Sequence, residues 1–172
     1  AGMKYLENYQ DIRKFPGEIL KEASCAVIVG LSYDLGERDH RFLEKVRVSQ
    51  YARFKDYHKL IKKHAELAFK SFLLQIRKSD IVFRVVVDSA PILEKPLATR
   101  CAKGFIGKNT LFIHPQKGSY FLLGEIFTNY PFVFDVKQNF NQDIRSRDYG
   151  GCGSCKRCQV HCPTGALNKD YQ

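Results

Sequence analysis

The chain has 172 residues and a formal net charge of +10, with 28 lysines and arginines against 18 aspartates and glutamates. Its 44% hydrophobic content provides enough apolar surface for a packed core, which excludes a disordered tail. No apolar run approaches the roughly 18 residues of a membrane-spanning helix, and the first residues lack the apolar segment of a secretion signal. The six cysteines, four of them after residue 150, favour a metal site in a reducing compartment over a disulfide framework. We therefore expect a cytoplasmic protein with one domain, or one domain and a small module.

The first predicted elements are a turn, a strand and a long helix. Residues 15–17, Phe-Pro-Gly, mark a turn, and residues 18–23 are compatible with a short helix. The compact apolar run at 25–33 predicts a buried strand, which a charged loop follows at 34–41. Across 56–78, apolar side chains recur every three or four residues with lysines between them, a pattern typical of an amphipathic helix. Its expected inward positions are Leu60, Ile61, Ala65, Leu67, Ala68, Phe72 and Ile76.

The middle of the chain alternates between strand and helix patterns. Residues 83–88 predict a strand that ends in the carboxylate Asp88, and residues 91–101 predict a helix with Pro91 near its first turn. A glycine-containing loop at 104–109 precedes two more predicted strands. These are 111–114 and 120–123, on either side of a turn, and the second is compatible with a continuation to residue 127.

The last third separates into a polar linker and a cysteine-rich module. Residues 135–150 are polar, and Gly150-Gly151 marks a domain boundary. We therefore predict a body at 1–149 and a small module at 150–172. The order of elements in the body predicts an α/β (α+β) fold with a mixed sheet.

The strongest motif is the run Cys-x2-Cys-x2-Cys-x3-Cys-Pro that begins at residue 152. Bacterial ferredoxins have this spacing, because closely spaced thiolates on a tight loop can bind three irons of a 4Fe-4S cluster. Zinc is the alternative, although zinc modules usually pair two separated Cys-x2-Cys knuckles. We predict that an iron–sulfur cluster binds here. The predicted metal ligands are Cys152, Cys155, Cys158 and Cys162.

The number of cysteines does not complete this site. In two-cluster ferredoxins the fourth cysteine of the run binds the other cluster, so the first cluster here lacks a ligand and the second lacks three. Cys25 and Cys101 lie in apolar segments, where free cysteines are more often packing residues than ligands. We therefore expect the chain to be a fragment of a longer protein.

Four body segments precede the cysteine run in an order that resembles the epoxyqueuosine reductase family. They are 51–58, 85–98, 103–110 and 118–126, and the cysteine run continues as Cys-Pro-Thr-Gly-Ala. The resemblance extends from about Tyr5 to the end of the chain. It implies a body like that of the reductive dehalogenases and nitroreductases, followed by part of a ferredoxin-like module. It also implies that the chain is truncated at both ends.

The resemblance also implies an activity and its partners. The family reduces epoxyqueuosine to queuosine in tRNA with cobalamin and 4Fe-4S clusters. The expected partners are therefore the tRNA anticodon loop and a reductant or electron-donor protein, with no membrane. The basic charge of the chain fits a polyanionic partner, but it is equally typical of a solvated surface.

By resemblance, Asp88 is the catalytic acid. A carboxyl group at the end of a buried strand, with its pKa raised by desolvation, can donate the proton that a departing epoxide oxygen needs. From the residues alone, Asp88 is also a candidate cap for the helix near Pro91.

Two further segments match the family's cofactor site. The first contributes Tyr51, Arg53, Tyr57 and His58 and also includes Asp56. His58 is also compatible with a residue of no special role at the start of a helix. The second contributes Gly104, Gly107, Lys108 and Asn109, whose spacing does not meet the P-loop pattern. Glycines there permit the backbone to approach the corrin ring, and an ordinary tight turn is the alternative.

Three other functions remain open at this point. The chain is also compatible with an electron-transfer or corrinoid-binding module, with an inactive fragment, and with a reductive dehalogenase-like enzyme that acts on a small molecule.

Overall fold

The computed structural model describes residues 9–10, 13, 15–34, 49–53, 55–88, 90–101, 104–133 and 151–168. The chain forms two compact units, one of Ala1–Glu94 with Tyr120–Phe132 and the other of Lys95–Ser119 with Val133–Gln172. The predicted linker and nearly all of the charged loop at 34–41 lie outside the described residues, so the boundary near residue 150 stays a prediction. Within the described ranges, no helix has the length and apolar character that a membrane crossing requires.

The first unit is built on a three-stranded antiparallel sheet. Its strands are β1 (Cys25–Ser32), β2 (Phe83–Val86) and β5 (Phe121–Thr128), in the order β1-β5-β2. Glu125 of β5 lies opposite Ile28 of β1 and opposite Val86 of β2. The central strand, β5, is therefore the last of the three in sequence. Strands β1 and β2 both form their inter-strand hydrogen bonds with it.

One long helix, α1 (Tyr57–Gln75), covers one face of this sheet. Its buried side chains Ala65 and Phe69 pack with Val85 of β2 and Ile126 of β5. An aromatic group extends the core, with ring centroids 4.7–6.3 Å apart. It consists of Phe69, Phe72, Phe83, Tyr130 and Phe132.

The predicted helix is confirmed, but its predicted inward face is too wide. Leu60 and Leu67 are 40% and 55% exposed, whereas Phe69, which the pattern did not select, is 5% exposed. The buried positions Ile61, Ala65 and Phe69 are spaced by four residues, so they form a single row. One row is sufficient because a narrow sheet of three strands contacts only a narrow stripe of the helix.

The second unit contains a short two-stranded sheet. Its strands are β3 (Phe105–Ile106) and β4 (Phe112–Ile113), which pair in antiparallel orientation. The helix α2 (Glu94–Cys101) begins at the boundary between the two units, and α3 (Arg157–Val160) lies in the cysteine-rich segment.

The strands predicted at 111–114 and 120–123 are confirmed as β4, which pairs with β3, and the start of β5, which pairs with β1. Three details of other predicted elements are wrong. Helix α2 starts at Glu94 rather than near Pro91, and its proline, Pro96, is tolerated in the first turn because the amides there have no helical partner. A 3-10 helix, Pro16–Ile19, replaces the short helix at 18–23. Strand β1 is an edge strand whose last three residues are exposed, so it is not buried throughout.

Gly124 of β5 permits the close approach of α1, and this yields a stability prediction. A Cβ atom at Gly124 would lie 2.8 Å from Cγ2 of Ile61. We expect Gly124→Ala to destabilise the fold by roughly 1–3 kcal/mol through overpacking. That cost exceeds the about 0.5–1 kcal/mol gained by replacing a glycine within a strand. Urea unfolding measures the change.

The control for this prediction is Gly17→Ala, because a Cβ atom at Gly17 has nothing within 4 Å. Equal unfolding midpoints for the two variants would contradict the packing of α1 on β5.

Candidate active site

Four side chains meet at the start of α1 in the first unit. The Tyr57 hydroxyl donates to Asp88 Oδ2 at 2.8 Å, and His58 Nε2 lies 3.2 Å from the same oxygen. His58 Nδ1 lies 2.8 Å from Asp56 Oδ1, so the imidazole bridges two carboxylates. Asp56 is also the N-cap of α1, since its side chain accepts the His58 backbone N–H. A helix cap thus fixes the position of the histidine that contacts Asp88.

The backbone at Asp88 has an unusual conformation. Asp88 follows β2 and has a φ of +44°, in the left-handed region that few residues other than glycine, asparagine and aspartate adopt. Its N–H donates to Glu94 Oε1 at the start of α2. Glu94 therefore holds the backbone of Asp88, while Tyr57 and His58 hold its carboxylate.

The electrostatics of this group follow from its hydrogen bonds. The bond to Asp56 has the largest effect on the pKa of His58 and raises it above its ordinary 6.5; burial opposes this rise, and the bond to Asp88 adds to it. The same contact with His58 lowers the pKa of Asp56. Burial, and then the bond to Asp88, raise the pKa of Tyr57. The group therefore favours a protonated imidazole and a protonated phenol around the Asp88 carboxylate.

Two predictions about Asp88 change with the structure. Asp88 was expected to be buried, because burial favours the protonated form of an acid. Its side chain is instead 57% exposed. The strand ends at Val86, two residues before Asp88, and the intervening turn directs the carboxylate to the surface of the unit. Its described side-chain bonds go to Tyr57 and His58 rather than to the amides of α2, so they do not support a helix cap. Asp56 has the cap role instead.

Tyr51 and Arg53 lie on a 3-10 helix, Gln50–Arg53, just before α1. The Tyr51 ring packs edge-on against Tyr33, with 6.5 Å between the ring centroids, and its phenol is close enough to contribute to the raised pKa of Tyr57. Arg53 is exposed. The structure therefore brings Tyr51 near the group around Asp88.

The predicted glycine loop lies in the second unit, where it contacts the cysteine segment. The Lys108 N–H donates to Cys152 Sγ at 3.3 Å, and Lys108 Nζ donates to the Gly153 carbonyl at 3.0 Å. Asn109 Oδ1 accepts the Leu111 N–H at 3.2 Å and closes the turn.

Packing within the second unit explains why both positions of this loop are glycines. A Cβ atom at Gly104 would lie 2.4 Å from the Phe112 ring, and one at Gly107 would lie 2.5 Å from Cδ1 of Ile113. These contacts favour the tight-turn interpretation of the loop.

The four predicted cysteine ligands have surroundings that suit thiolates, but they do not form a closed site. Cys162 has its pKa lowered to about 7 by the Thr164 hydroxyl first and by nearby backbone amides. Such donors around sulfur are typical of cluster ligands, as is the Lys108 N–H at Cys152. Among the residues that the structure describes, however, no three His, Cys, Asp or Glu side chains are grouped to hold a metal ion. The donor set thus fits an iron–sulfur cluster chemically, while its arrangement remains a prediction.

Glu125 and Glu94 are the residues that the sequence interpretation missed. Glu125 is 0% exposed, and burial, followed by the charges of Glu94 and Asp88, raises its pKa to about 8. A possible signal was present, because a single carboxylate interrupts the apolar run Leu-Leu-Gly-Glu-Ile-Phe at 122–127. Glu94 gave no such signal, because its bond to Asp88 depends on the turn between them.

Comparison with known proteins defines the class of the chain. The family model described as "Epoxyqueuosine reductase QueG, DUF1730" matches residues 13–89. An epoxyqueuosine reductase from Pseudomonas aeruginosa is 35% identical over 174 residues, covering 99% of this chain and 45% of the relative. The Escherichia coli enzyme is 38% identical over 124 residues, covering 72% of this chain and 30% of the relative.

Solved structures agree with the sequence matches. The epoxyqueuosine reductase of Streptococcus thermophilus superposes with a TM-score of 0.69 at 26% identity, covering 94% of this chain and 41% of the neighbour. A second neighbour is an epoxyqueuosine reductase with an epoxyqueuosine-modified tRNA-Tyr stem loop. Its TM-score is 0.65 at 30% identity, and the match covers 91% of this chain and 40% of the neighbour.

The resemblance seen in the sequence is confirmed: this is a mixed α/β protein with the fold of known epoxyqueuosine reductases. The chain belongs to the epoxyqueuosine reductase family. It spans about half the length, or less, of the curated relatives that it matches over most of its own length.

The bridging position of His58 predicts how its pKa responds to mutation. We expect Asp56→Asn to lower the pKa of His58, because the bond to Asp56 contributes most to raising it, and Asp88→Asn to lower it less. Ring-proton NMR across pH measures both shifts. Since the folded-state pKa is raised, the stabilisation by this pairing is present below pH 6.5 and is lost as pH rises through the folded value.

The control is Asp80→Asn, which removes an exposed carboxylate in the loop before β2. A His58 pKa that is the same in all three variants would contradict the bridge between the two carboxylates.

Proposed function

We propose that this chain is the body of an epoxyqueuosine reductase, which reduces epoxyqueuosine to queuosine in tRNA. The observation that carries the proposal is the exposed Asp88 carboxylate on its strained turn, hydrogen-bonded to Tyr57 and His58. Family membership and the tRNA stem loop bound by one structural neighbour support the substrate class. Another neighbour, from Bacillus subtilis, is described with an aspartate-containing catalytic loop swung out of its active site. Asp88 likewise lies on a loop after a strand.

The proton steps of this reaction suit the residues of the first unit. Removal of an epoxide oxygen as water consumes two electrons and two protons. His58, whose raised pKa favours the protonated imidazole, holds the proton for this step at Nε2, 3.2 Å from Asp88 Oδ2. Asp88 passes that proton to the departing oxygen, and its exposure leaves the carboxyl group accessible to a large substrate. The second proton follows the same route after solvent reprotonates the half-exposed imidazole. Tyr57 orients the carboxylate through its hydroxyl group.

The cofactors of the proposal are cobalamin and a 4Fe-4S cluster. When bound, cobalamin supplies the electrons for cleavage of the carbon–oxygen bond. Tyr51, Arg53, Tyr57 and His58 would hold it in the first unit. Cys152, Cys155, Cys158 and Cys162 would hold the cluster in a ferredoxin-like module at 150–172. A dehalogenase- and nitroreductase-like body, a reductant or electron-donor protein and a cytoplasmic location complete the proposal.

A basic groove beside Asp88 supports RNA as the substrate. The groove has a volume of about 700 Å³, and its lining passes from Asp56 and His58 along one side of α1. Four cationic side chains line it, against the carboxylates Asp56 and Glu66. They are Lys59, Lys62, Lys70 and Arg84. Such a row of cations suits the phosphate backbone of an RNA strand whose modified base lies at Asp88.

The activity test compares Asp88→Asn with the unchanged chain. Both are reconstituted anaerobically with iron, sulfide and cobalamin, and metal analysis and visible spectra record what each retains. We expect Asp88→Asn to retain its cofactors but to reduce epoxyqueuosine in a tRNA stem loop about 10²-fold or more slowly, because the proton donor is lost. The rate is measured in a single turnover with a chemical reductant.

Asp80→Asn serves as the matched control, and its rate should equal that of the unchanged chain. An unchanged rate in Asp88→Asn would remove Asp88 from the acid role. Failure of the unchanged chain to retain cobalamin would favour an electron-transfer module or an inactive fragment. Reduction of small halogenated molecules, without any reduction of the RNA, would favour the dehalogenase-like alternative.

The groove predicts a charge-dependent loss of RNA binding. We expect the double variant Lys62→Gln/Lys70→Gln to weaken binding of the stem loop and to reduce the slope of log K against log salt by about 1.5, because two phosphate contacts are lost. Fluorescence anisotropy at several salt concentrations measures both effects.

The matched control is Lys63→Gln/Lys78→Gln, which removes the same charge from exposed lysines outside the groove. Equal losses in the two double variants would show that net charge rather than the groove binds the RNA.

A further inference from the structure

Glu125 has no described partner, although it is completely buried at the centre of the sheet. Its side chain is 0% exposed, and neither carboxyl oxygen has a hydrogen-bond partner among the described residues. A buried carboxylate without a partner is strongly unfavourable, whereas the protonated form has no charge to desolvate. The chain retains this carboxyl group inside an otherwise apolar strand, and the proton steps proposed for Asp88 do not use it.

The position of Glu125 relates it to the Asp88 turn. Gly124 and Ile126 face α1, so Glu125 faces the opposite side of the sheet. Its partners in the two neighbouring strands are Ile28 and Val86, which are not titratable. The described charged groups that act on Glu125 are Asp88, after β2, and Glu94, at the start of α2. These two are joined by the bond from the Asp88 N–H to Glu94.

We propose that Glu125 is a positioning residue for Asp88: it stays protonated while the protein works, so that no negative charge inside the sheet weakens the bond from the Asp88 N–H to Glu94. The proposal rests on the proposed function only in treating Asp88 as the proton donor. The turn needs such an anchor because Asp88 adopts a positive φ, which the bond to Glu94 helps to maintain.

Loss of the Glu125 proton has a defined consequence. A buried negative charge on Glu125 then repels the Glu94 and Asp88 carboxyl groups and weakens the bond from the Asp88 N–H to Glu94. Asp88 moves away from Tyr57 and His58, so proton delivery stops. Because burial and the two neighbouring carboxylates raise the pKa of Glu125 to about 8, this loss falls at the alkaline side of neutrality.

The first test does not depend on any activity. NMR of the chain with ¹³C-labelled glutamate carboxyl groups follows Glu125 across pH, and the backbone amide signal of Asp88 is followed in parallel. We expect both to change near pH 8 in the unchanged chain, and the Asp88 change to disappear in Glu125→Gln, which is neutral at every pH. Glu22→Gln, in the exposed turn before β1, should leave both signals unchanged.

Stability against pH is a second measurement without substrate. The folded chain keeps the Glu125 proton to about pH 8, whereas the unfolded chain releases it near 4.5, so folding is progressively disfavoured as pH rises between these values. Relative to Glu125→Gln, the unfolding equilibrium constant of the unchanged chain should rise on the order of a hundredfold or more across this range. Urea unfolding at pH 5 and pH 8 measures the difference.

Activity against pH tests the positioning role itself. We expect the single-turnover rate of the unchanged chain to fall above pH 8, and that of Glu125→Gln to match it at neutral pH and to persist at higher pH. A Glu125 titration near 4.5, or an Asp88 amide change that persists in Glu125→Gln, would overturn the proposal even if the chain is an active reductase. If the chain has no reductase activity while both NMR expectations hold, the proposed function fails and the coupling of Glu125 to the Asp88 turn stands.

Discussion

The pairing of β5 with both β1 and β2 is the constraint on which the rest of the first unit depends. It gives each residue of β5 a fixed face: Gly124 and Ile126 lie against α1, and Glu125 lies on the opposite side. It also fixes where β2 ends, and therefore where Asp88 begins its turn. A shift of the register by one residue would exchange these faces, placing a carboxyl group in the apolar core and removing the glycine that admits Ile61.

The candidate site forms where the start of α1 meets the turn after β2. The N-cap residue Asp56 orients His58, and His58 and Tyr57 together bind the Asp88 carboxylate. The site therefore uses groups that the fold already needs for capping and turn formation. In the second unit, the loop at Lys108 donates to Cys152 and Gly153, which places a hairpin turn beside the first cysteine of the run.

Much of the first unit was predictable because its elements have strong local patterns. The apolar period of α1 and the β-branched run before Asp88 identified a helix and a strand within three residues of their observed bounds. The selection of Leu60 and Leu67 as core failed because the helix faces a sheet of only three strands, which periodicity does not reveal. The strands at 111–114 and 120–123 were found where they were predicted, but their partners β3 and β1 were not predicted, because a local pattern identifies a strand and not the strand that it pairs with. Asp88, Tyr57 and His58 were named from the resemblance, but their mutual contacts were not.

The family, the order of elements and the residue types of the candidate site could be read from the amino-acid sequence, because they depend on local composition and on motifs that lie close together along the chain. Which carboxyl group is buried, in contrast, depends on the packing of the folded chain. Asp88 was expected to be desolvated and is exposed, whereas Glu125, 37 positions further along, is enclosed. Desolvation depends on every strand and helix that packs around a side chain, and those neighbours are distant in sequence, so no local pattern can assign it.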